Sequence, residues 1–129
     1  MQKGRYMVKD EWLGPGVKIV PKNWGEEQWL HNSEKYCGKI LCFNKGKRCS
    51  FHLHLVKEEH FWLSVGKILL KYSFEDDLDK ANEIILNPGD NFHIPVGLRH
   101  QMIALEDSKL VEFSSTHADE DSIRIVKGD

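Results

Sequence analysis

The sequence predicts an all-β fold, and three observations carry that prediction. Ten short runs rich in β-branched, aromatic and other apolar residues recur along the chain. Clusters of Gly, Pro, Asn and Asp separate them, as at Asn87–Asp90 and Pro95–Gly97. No segment has a long apolar period of 3.6 residues, and the best helical candidate is the short run Glu26–His31. Many short strands at nearly regular spacing are typical of a β-sandwich or a small barrel.

The predicted strands alternate with turn residues from Lys18 to the end of the chain. They are Lys18–Val20, Cys37–Phe43, Cys49–Val56, Glu59–Val65, Lys67–Phe74, Glu83–Leu86, Asn91–Ile94, His100–Leu105, Lys109–Ser115 and Ser122–Val126. Upstream, Trp12, Trp24 and Trp29 lie among Gly and Pro residues. Burying a Trp side chain is worth several kcal/mol. We therefore expect residues 1–36 to form an N-terminal arm that packs on a β-barrel domain of residues 37–129.

Length and charge exclude several classes of protein. The chain has 129 residues, of which 40% are hydrophobic and 29% charged, as in an ordinary single globular domain. Its formal net charge of -2 leaves no basic excess to bind nucleic acid. No apolar run approaches the roughly 20 residues of a membrane-spanning helix. The first ten residues lack the apolar stretch of a secretory signal. We expect a cytoplasmic protein whose three cysteines stay reduced.

His52 and His54 form an HxH motif inside a predicted strand. Because side chains on a strand alternate, both imidazoles project from one face, with Cα atoms roughly 6.6 Å apart. The opposite face carries Cys49, Phe51, Leu53 and Leu55. These apolar residues need a cover, which the arm or a second subunit would supply, and we expect a homodimer.

Two longer motifs surround the histidines. The first reads Gly46, five residues, His52-Leu53-His54, four residues, Glu59, six residues, Gly66, and the second reads Gly89, five residues, Pro95, one residue, Gly97, two residues, His100. Both resemble the conserved motifs of the cupin superfamily, G(x)5HxH(x)3–4E(x)6G and G(x)5PxG(x)2H. Ala104 departs from the second motif, which usually ends in Asn. Glu58 competes with Glu59 as the carboxylate, and the six-residue gap to Gly66 selects Glu59.

The resemblance implies a double-stranded β-helix, the jelly-roll-like barrel of the cupins, with one divalent transition metal ion. Its metal ligands would be His52, His54, Glu59 and His100. Three imidazoles and a carboxylate suit Zn, Mn, Fe, Ni or Co, and on an octahedral ion they leave two positions open. The remaining histidines have no partner at ligand spacing, so we expect His31, His93 and His117 to lie outside the site.

The chain also resembles the single-domain relatives of type II mannose-6-phosphate isomerase. The likeness rests on Asn23–Glu27, Tyr36–Leu41, Glu112–Thr116 and Asp119–Arg124. It implies a sugar or sugar-phosphate isomerase that moves a proton between C1 and C2 through an enediol. In this branch Lys39 matches a strand lysine and is a weak candidate for a catalytic residue. Gln101 stands where the branch typically has Arg, and Ser50 where it tends to have Gln.

Two other functions remain open, because one fold hosts many chemistries. An Fe(II)-dependent dioxygenase would use the same ligand set, and a non-catalytic cupin would only bind a small carbohydrate. In all three cases the partner is a small molecule. The candidate residues that line its pocket are Lys39, Ser50, Phe61, Gln101 and Met102.

Overall fold

The computed structural model describes residues 10–129, and within them eleven strands form two antiparallel sheets. The strands are β1 (Lys18–Lys22), β2 (Gly25–Asn32), β3 (Cys37–Phe43), β4 (Phe51–His54), β5 (Glu59–Val65), β6 (Ile68–Ser73), β7 (Asn82–Leu86), β8 (Asn91–Ile94), β9 (Arg99–Ala104), β10 (Ser108–Ser114) and β11 (Ser122–Val126). Short 3-10 turns span Asp10–Trp12, Leu78–Lys80 and Asp119–Asp121. A helix long and apolar enough to cross a bilayer does not occur in this part of the chain.

The chain crosses repeatedly between the two sheets. One sheet has the order β1-β2-β3-β10-β5-β8 and the other has the order β11-β4-β9-β6-β7. Strands β3, β5, β8 and β10 therefore lie in the first sheet, while β4, β6, β9 and β11 lie in the second. This alternation confirms the all-β, jelly-roll-like prediction, and each of the ten predicted strands overlaps an observed one.

The inward faces of the strands change character along their length. On β3 the inward residues run from Lys39 through Leu41 to Phe43, and on β5 from Glu59 to Leu63. The apolar ends pack into one core, which contains Trp24, Leu41, Phe43, Phe61, Leu63, Ile68, Leu70, Met102 and Leu110 among others. The ionisable ends face a cavity. One end of the sandwich is therefore a packed core, and the other end carries charge.

The best helical candidate, Glu26–His31, is not a helix, since these residues belong to strand β2. Strand β2 pairs with β1 on one side and β3 on the other, with Trp29 opposite Lys39. Hydrogen bonds to two neighbouring strands outweigh the modest helical preference of a six-residue run. Strands β1 and β2 thus extend the sheet that contains β3, within the segment expected to be an arm. Residues 1–9 of that segment lie outside the described residues.

The apolar side of β4 is largely covered within the single chain. Cys49, Phe51 and Leu53 are buried, and Leu55, just beyond the strand, is 55% exposed. A second subunit is therefore not needed to cover the first three residues. The homodimer stays a prediction.

All four motif glycines have positive φ, and the surroundings of the two in the first motif differ. Gly46 has φ +83°, and a Cβ there would meet nothing within 4 Å. Gly66, with φ +97°, links β5 to β6, and a Cβ there would run into Ser108 Oγ and the Asp107 carbonyl oxygen. Of these two positions, only Gly66 requires glycine for two reasons: its backbone conformation is left-handed, and there is no room for a Cβ.

We expect Gly46→Ala to lower the free energy of unfolding by about 1–2 kcal/mol, the cost of a left-handed conformation for a residue with a Cβ. Gly66→Ala should lower the free energy of unfolding by roughly 1–3 kcal/mol more than Gly46→Ala does, because the added Cβ also overpacks the turn. Urea denaturation of both variants measures the difference. Equal losses would contradict the crowding at Gly66.

Candidate metal centre

Three histidines converge inside the cavity. His52 and His54 lie on β4 and His100 on β9, with His52 directly opposite His100 in the pairing of the two strands. Each offers a ring nitrogen, and the three nitrogens lie within 4.8 Å of one another. His54 and His100 are buried, and His52 is partly buried. These three side chains could hold a metal ion.

Backbone carbonyls orient two of the rings. His52 Nδ1 lies 2.9 Å from the carbonyl oxygen of Ser50, and His100 Nδ1 lies 2.9 Å from that of Leu98. A carbonyl oxygen can only accept, so each Nδ1 carries the proton and donates it. In a neutral ring the Nε2 lone pair is then free, which is the form that binds a metal.

Glu59 brings a carboxylate to the same point from the other sheet. Its Oε2 lies 3.1 Å from His100 Nε2 and 3.6 Å from His54 Nε2. Glu59 and His100 are both buried, yet neither Glu59 Oε2 nor His100 Nε2 has a hydrogen-bond partner within residues 10–129. Buried polar atoms are rarely left without a partner. The donor set therefore fits a divalent transition metal ion, with nitrogen and oxygen ligands already gathered.

Burial and repulsion between neighbouring imidazoles keep His52 and His54 neutral. Desolvation, followed by the neighbouring His100 and His54, lowers the pKa of His52 from 6.5 to about 3. Desolvation lowers the pKa of His54 to about 4, although Glu59 opposes the shift. For Glu59 itself, burial would raise the pKa, but the Lys57 ammonium holds it well below 4.5. At neutral pH His52 and His54 are therefore neutral and Glu59 is ionised, as metal binding requires.

A buried lysine, not anticipated from the sequence, links this cluster to a second carboxylate. Lys57 Nζ lies 3.0 Å from Glu59 Oε1, 2.7 Å from Glu112 Oε2 and 3.1 Å from His117 Nδ1. Burial disfavours the ammonium, but Glu59 and Glu112 raise the pKa of Lys57 above its usual value. Alternation in Lys57-Glu58-Glu59 was a usable signal, because it puts Lys57 on the same side as Glu59.

A second ion pair flanks the cavity. Lys39 is almost fully buried, with Nζ 3.4 Å from Glu27 Oε1 and 4.2 Å from the centre of the Trp29 ring. Trp29 Nε1 donates to the same Glu27 oxygen at 2.8 Å. For Glu27, burial would raise the pKa, but Lys39 and the Trp29 hydrogen bond bring it below 4.5. Glu27 is therefore ionised at neutral pH.

These groups share a cavity of about 680 Å³, a size suited to a small-molecule ligand. Of the predicted lining residues, Lys39, Ser50, Phe61 and Met102 lie on its wall. Gln101 does not. It follows His100 on β9, so its side chain projects from the other face of that strand, where Nε2 donates to the Cys49 carbonyl at 2.9 Å.

The other histidines are placed only partly as expected. His93 pairs with Glu58 on the outer surface, away from the cluster. His31 is exposed and stacks on Tyr36. His117, expected outside the site, lies on the cavity wall between Lys57 and Asp119. Its approach to Lys57 depends on how the C-terminal segment folds back, which no local pattern reveals.

Comparison with solved structures identifies the fold. The capsular polysaccharide assembling protein CapF from Staphylococcus aureus has a TM-score of 0.71 at 17% identity, over 91% of this chain and 36% of that one. Oxalate decarboxylase from Bacillus subtilis has a TM-score of 0.72 at 16% identity, over 84% of this chain and 30% of that one. KdgF from Halomonas sp. has a TM-score of 0.63 at 19% identity, over 90% of this chain and 98% of that one. The chain is a cupin by fold.

The curated proteins that this chain resembles in sequence are named as sugar isomerases. D-lyxose ketol-isomerase from Cohnella laeviribosi is 30% identical over 69% of this chain and 60% of that protein. D-lyxose/D-mannose isomerase from Thermosediminibacter oceani is 28% identical over 70% of this chain and 61% of that protein. The matches thus span about three fifths of the length of each relative. A search of protein-family models found no match to the chain.

The lowered imidazole pKa values predict how the stability of the metal-free protein depends on pH. Unfolded histidines titrate near 6.5, whereas folded His52 and His54 titrate at about 3 and about 4. Below pH 6.5 the unfolded state therefore binds more protons, and stability falls as the pH falls. Between pH 7 and pH 5 we expect a loss of roughly 2 kcal/mol per histidine.

Urea unfolding of chelator-treated protein at pH 7, 6 and 5 measures this loss. The double variant His52→Gln/His54→Gln should show little of this loss of unfolding free energy between pH 7 and pH 5. A pH-independent unfolding free energy in the unmodified protein would show that the two imidazoles are not desolvated.

Proposed function

We propose that this cupin is a metal-dependent aldose–ketose isomerase that acts on a small, unphosphorylated sugar. One observation carries the proposal: three imidazole nitrogens and an unpaired Glu59 oxygen meet on the wall of a sugar-sized cavity. The two relatives, named for the isomerisation of D-lyxose and D-mannose, support the class of substrate.

The ligands would be His52, His54 and His100 through imidazole nitrogens and Glu59 through Oε2. The bound ion, one of Mn, Fe, Co, Ni or Zn, would act as a Lewis acid on the C1 and C2 oxygens of an open-chain sugar. Lys57 holds the other Glu59 oxygen at 3.0 Å, which keeps Oε2 turned toward the histidines. The protein thus orients the carboxylate before any ion arrives.

Glu112 is our candidate for the group that moves the proton. Its Oε2 accepts from Lys57 at 2.7 Å and from Ser114 Oγ at 2.9 Å, which leaves Oε1 for a substrate. Glu112 lines the cavity, and burial together with the charge of Glu59 raises its pKa above 4.5. A carboxylate whose pKa is raised toward neutrality is suited to general base catalysis. Oε1 would take the proton from C2 of the aldose and return it to C1, while the O2 hydroxyl proton moves to O1.

Lys39 would stabilise the negative charge that develops on the substrate oxygens during this transfer. Its ammonium is held in place by Glu27 and the Trp29 ring and lies on the cavity wall. Both buried lysines of the cavity are paired with carboxylates, Lys39 with Glu27 and Lys57 with Glu59 and Glu112. These carboxylates offset the charge of both lysines, so the group carries no excess positive charge for a phosphate dianion, which favours an unphosphorylated substrate.

A phosphorylated sugar is the second candidate, and one observation favours it. Arg124 and Lys127 lie at the cavity near the C-terminus and form no ion pair within the described part of the chain. Two such cations could bind a phosphate group. A higher kcat/KM for mannose 6-phosphate than for D-mannose, reduced by Arg124→Gln, would select this candidate.

We expect the purified protein to contain one transition metal ion and to interconvert D-lyxose or D-mannose with the matching ketose. A chelator should abolish the activity, and the metal should restore it, because the ion polarises the reacting oxygens. His52→Ala should remove most of the bound metal, whereas His93→Ala, its matched control on the outer surface, should keep it. Metal analysis and a sugar assay measure both.

Chelator-resistant isomerisation would contradict the metal-dependent mechanism. Metal-dependent oxygen consumption without isomerisation would instead favour the dioxygenase. Equal loss of metal in His52→Ala and His93→Ala would contradict the assigned ligands.

Glu112→Gln should lower kcat by about 10²–10⁴-fold, the usual contribution of a general base. Its metal content should stay at the level of the unmodified protein, because Glu112 is not among the proposed ligands. Glu106→Gln, in an exposed turn, is the control for a lost carboxylate. A Glu112→Gln variant with normal kcat would remove Glu112 from the mechanism.

A further inference from the structure

Asp121 is a nearly buried carboxylate that the proposed reaction does not use. It ends the 3-10 turn Asp119–Asp121, immediately before strand β11, and its side chain is 9% exposed. Strand β11 pairs with β4, and Ser122 lies opposite His54. The fold therefore places Asp121 beside the end of the HxH strand.

The Asp121 carboxylate binds three consecutive backbone amides. Oδ1 accepts from Leu55 N at 3.0 Å and from Val56 N at 2.8 Å, and Oδ2 accepts from Lys57 N at 2.9 Å. The segment 55–58 joins the HxH strand to the strand that begins at Glu59. Leu55 and Val56 are 55% and 78% exposed, so side-chain packing does little to hold this segment. At Leu55 and Val56 the hydrogen bonds to Asp121 hold it instead, while Lys57 is also fixed by its ion pairs and Glu58 by hydrogen bonds to Ser115.

The same carboxylate faces the one proposed imidazole ligand that lacks a backbone acceptor. His52 and His100 donate from Nδ1 to main-chain carbonyls, each at 2.9 Å. His54 Nδ1 is buried and has no hydrogen-bond partner within residues 10–129. Asp121 Oδ2 lies 3.9 Å from it, so a small rotation of the ring would complete a hydrogen bond.

We propose that Asp121 is a positioning residue of the metal centre, which keeps the His54 proton on Nδ1 and fixes the segment that carries Lys57 and leads into Glu59. This inference rests on the proposed metal site but not on the isomerase reaction. A carboxylate behind a metal-binding imidazole fixes its tautomer and raises its basicity. One side chain from the C-terminal segment thereby acts on ligands from both sheets.

Cobalt(II) binding tests the proposal, because its visible spectrum reports the ligand geometry. Asp121→Asn keeps the shape of the side chain but removes its charge. We expect this variant to bind Co²⁺ about 10–100-fold more weakly in competition with a chelator. Its Co²⁺ spectrum at saturation should also differ from that of the unmodified protein. A purely structural role would lower the unfolding temperature but leave the saturated spectrum unchanged.

Glu120→Gln is the matched control, since Glu120 is exposed in the same 3-10 turn. It should bind Co²⁺ as the unmodified protein does. Normal affinity and a normal spectrum for Asp121→Asn would overturn the role of Asp121 while leaving the metal centre intact. Failure of the unmodified protein to bind Co²⁺ would overturn the metal centre and, with it, this role.

A measurement on the unmodified, metal-free protein covers the case in which Asp121→Asn does not fold. Long-range ¹H–¹⁵N spectra of the imidazole rings distinguish the two neutral tautomers. We expect His54 to carry its proton on Nδ1. A proton on Nε2 would contradict the proposal whatever the variant does.

Discussion

The charge balance around Lys57 is the constraint on which the cavity depends. Two carboxylates from neighbouring strands, Glu59 and Glu112, are buried at the same end of the sandwich. Burying a charge without a partner is costly, and two like charges make it costlier. The Lys57 ammonium contacts an oxygen of each, which leaves the opposite oxygen of Glu59 facing the histidines. The geometry of the candidate metal centre and that of the candidate base thus depend on one cation.

Local spacing points to the parts of the candidate site that lie within single strands. The HxH alternation placed His52 and His54 on one face, and the motif spacing singled out His100 and Glu59. The same alternation should have excluded Gln101, because a residue next to His100 on a strand points the other way. Its polarity, and its place in the resembling branch, led to the wrong expectation.

The remaining parts of the site depend on pairings between distant segments. Glu112 meets Lys57 only because β10 lies beside β5, and Asp121 meets the 55–57 amides only because β11 pairs with β4. No period within either segment carries that information. Strand β2 was missed for a related reason: its two neighbours, rather than its own composition, make it a strand. The contacts between charged groups therefore depend on pairing between distant strands. The apolar core can be predicted from the alternation of residues within each strand.

The donor atoms come from both layers of the sandwich, His52, His54 and His100 from one sheet and Glu59 from the other. An ion bound by all four would cross-link the two layers at the end opposite the apolar core. The spacing of the sheets would then be set at one end by side-chain volume and at the other by coordination chemistry. A core substitution that widens the sandwich would in this way change the donor separations from a distance, without touching any ligand.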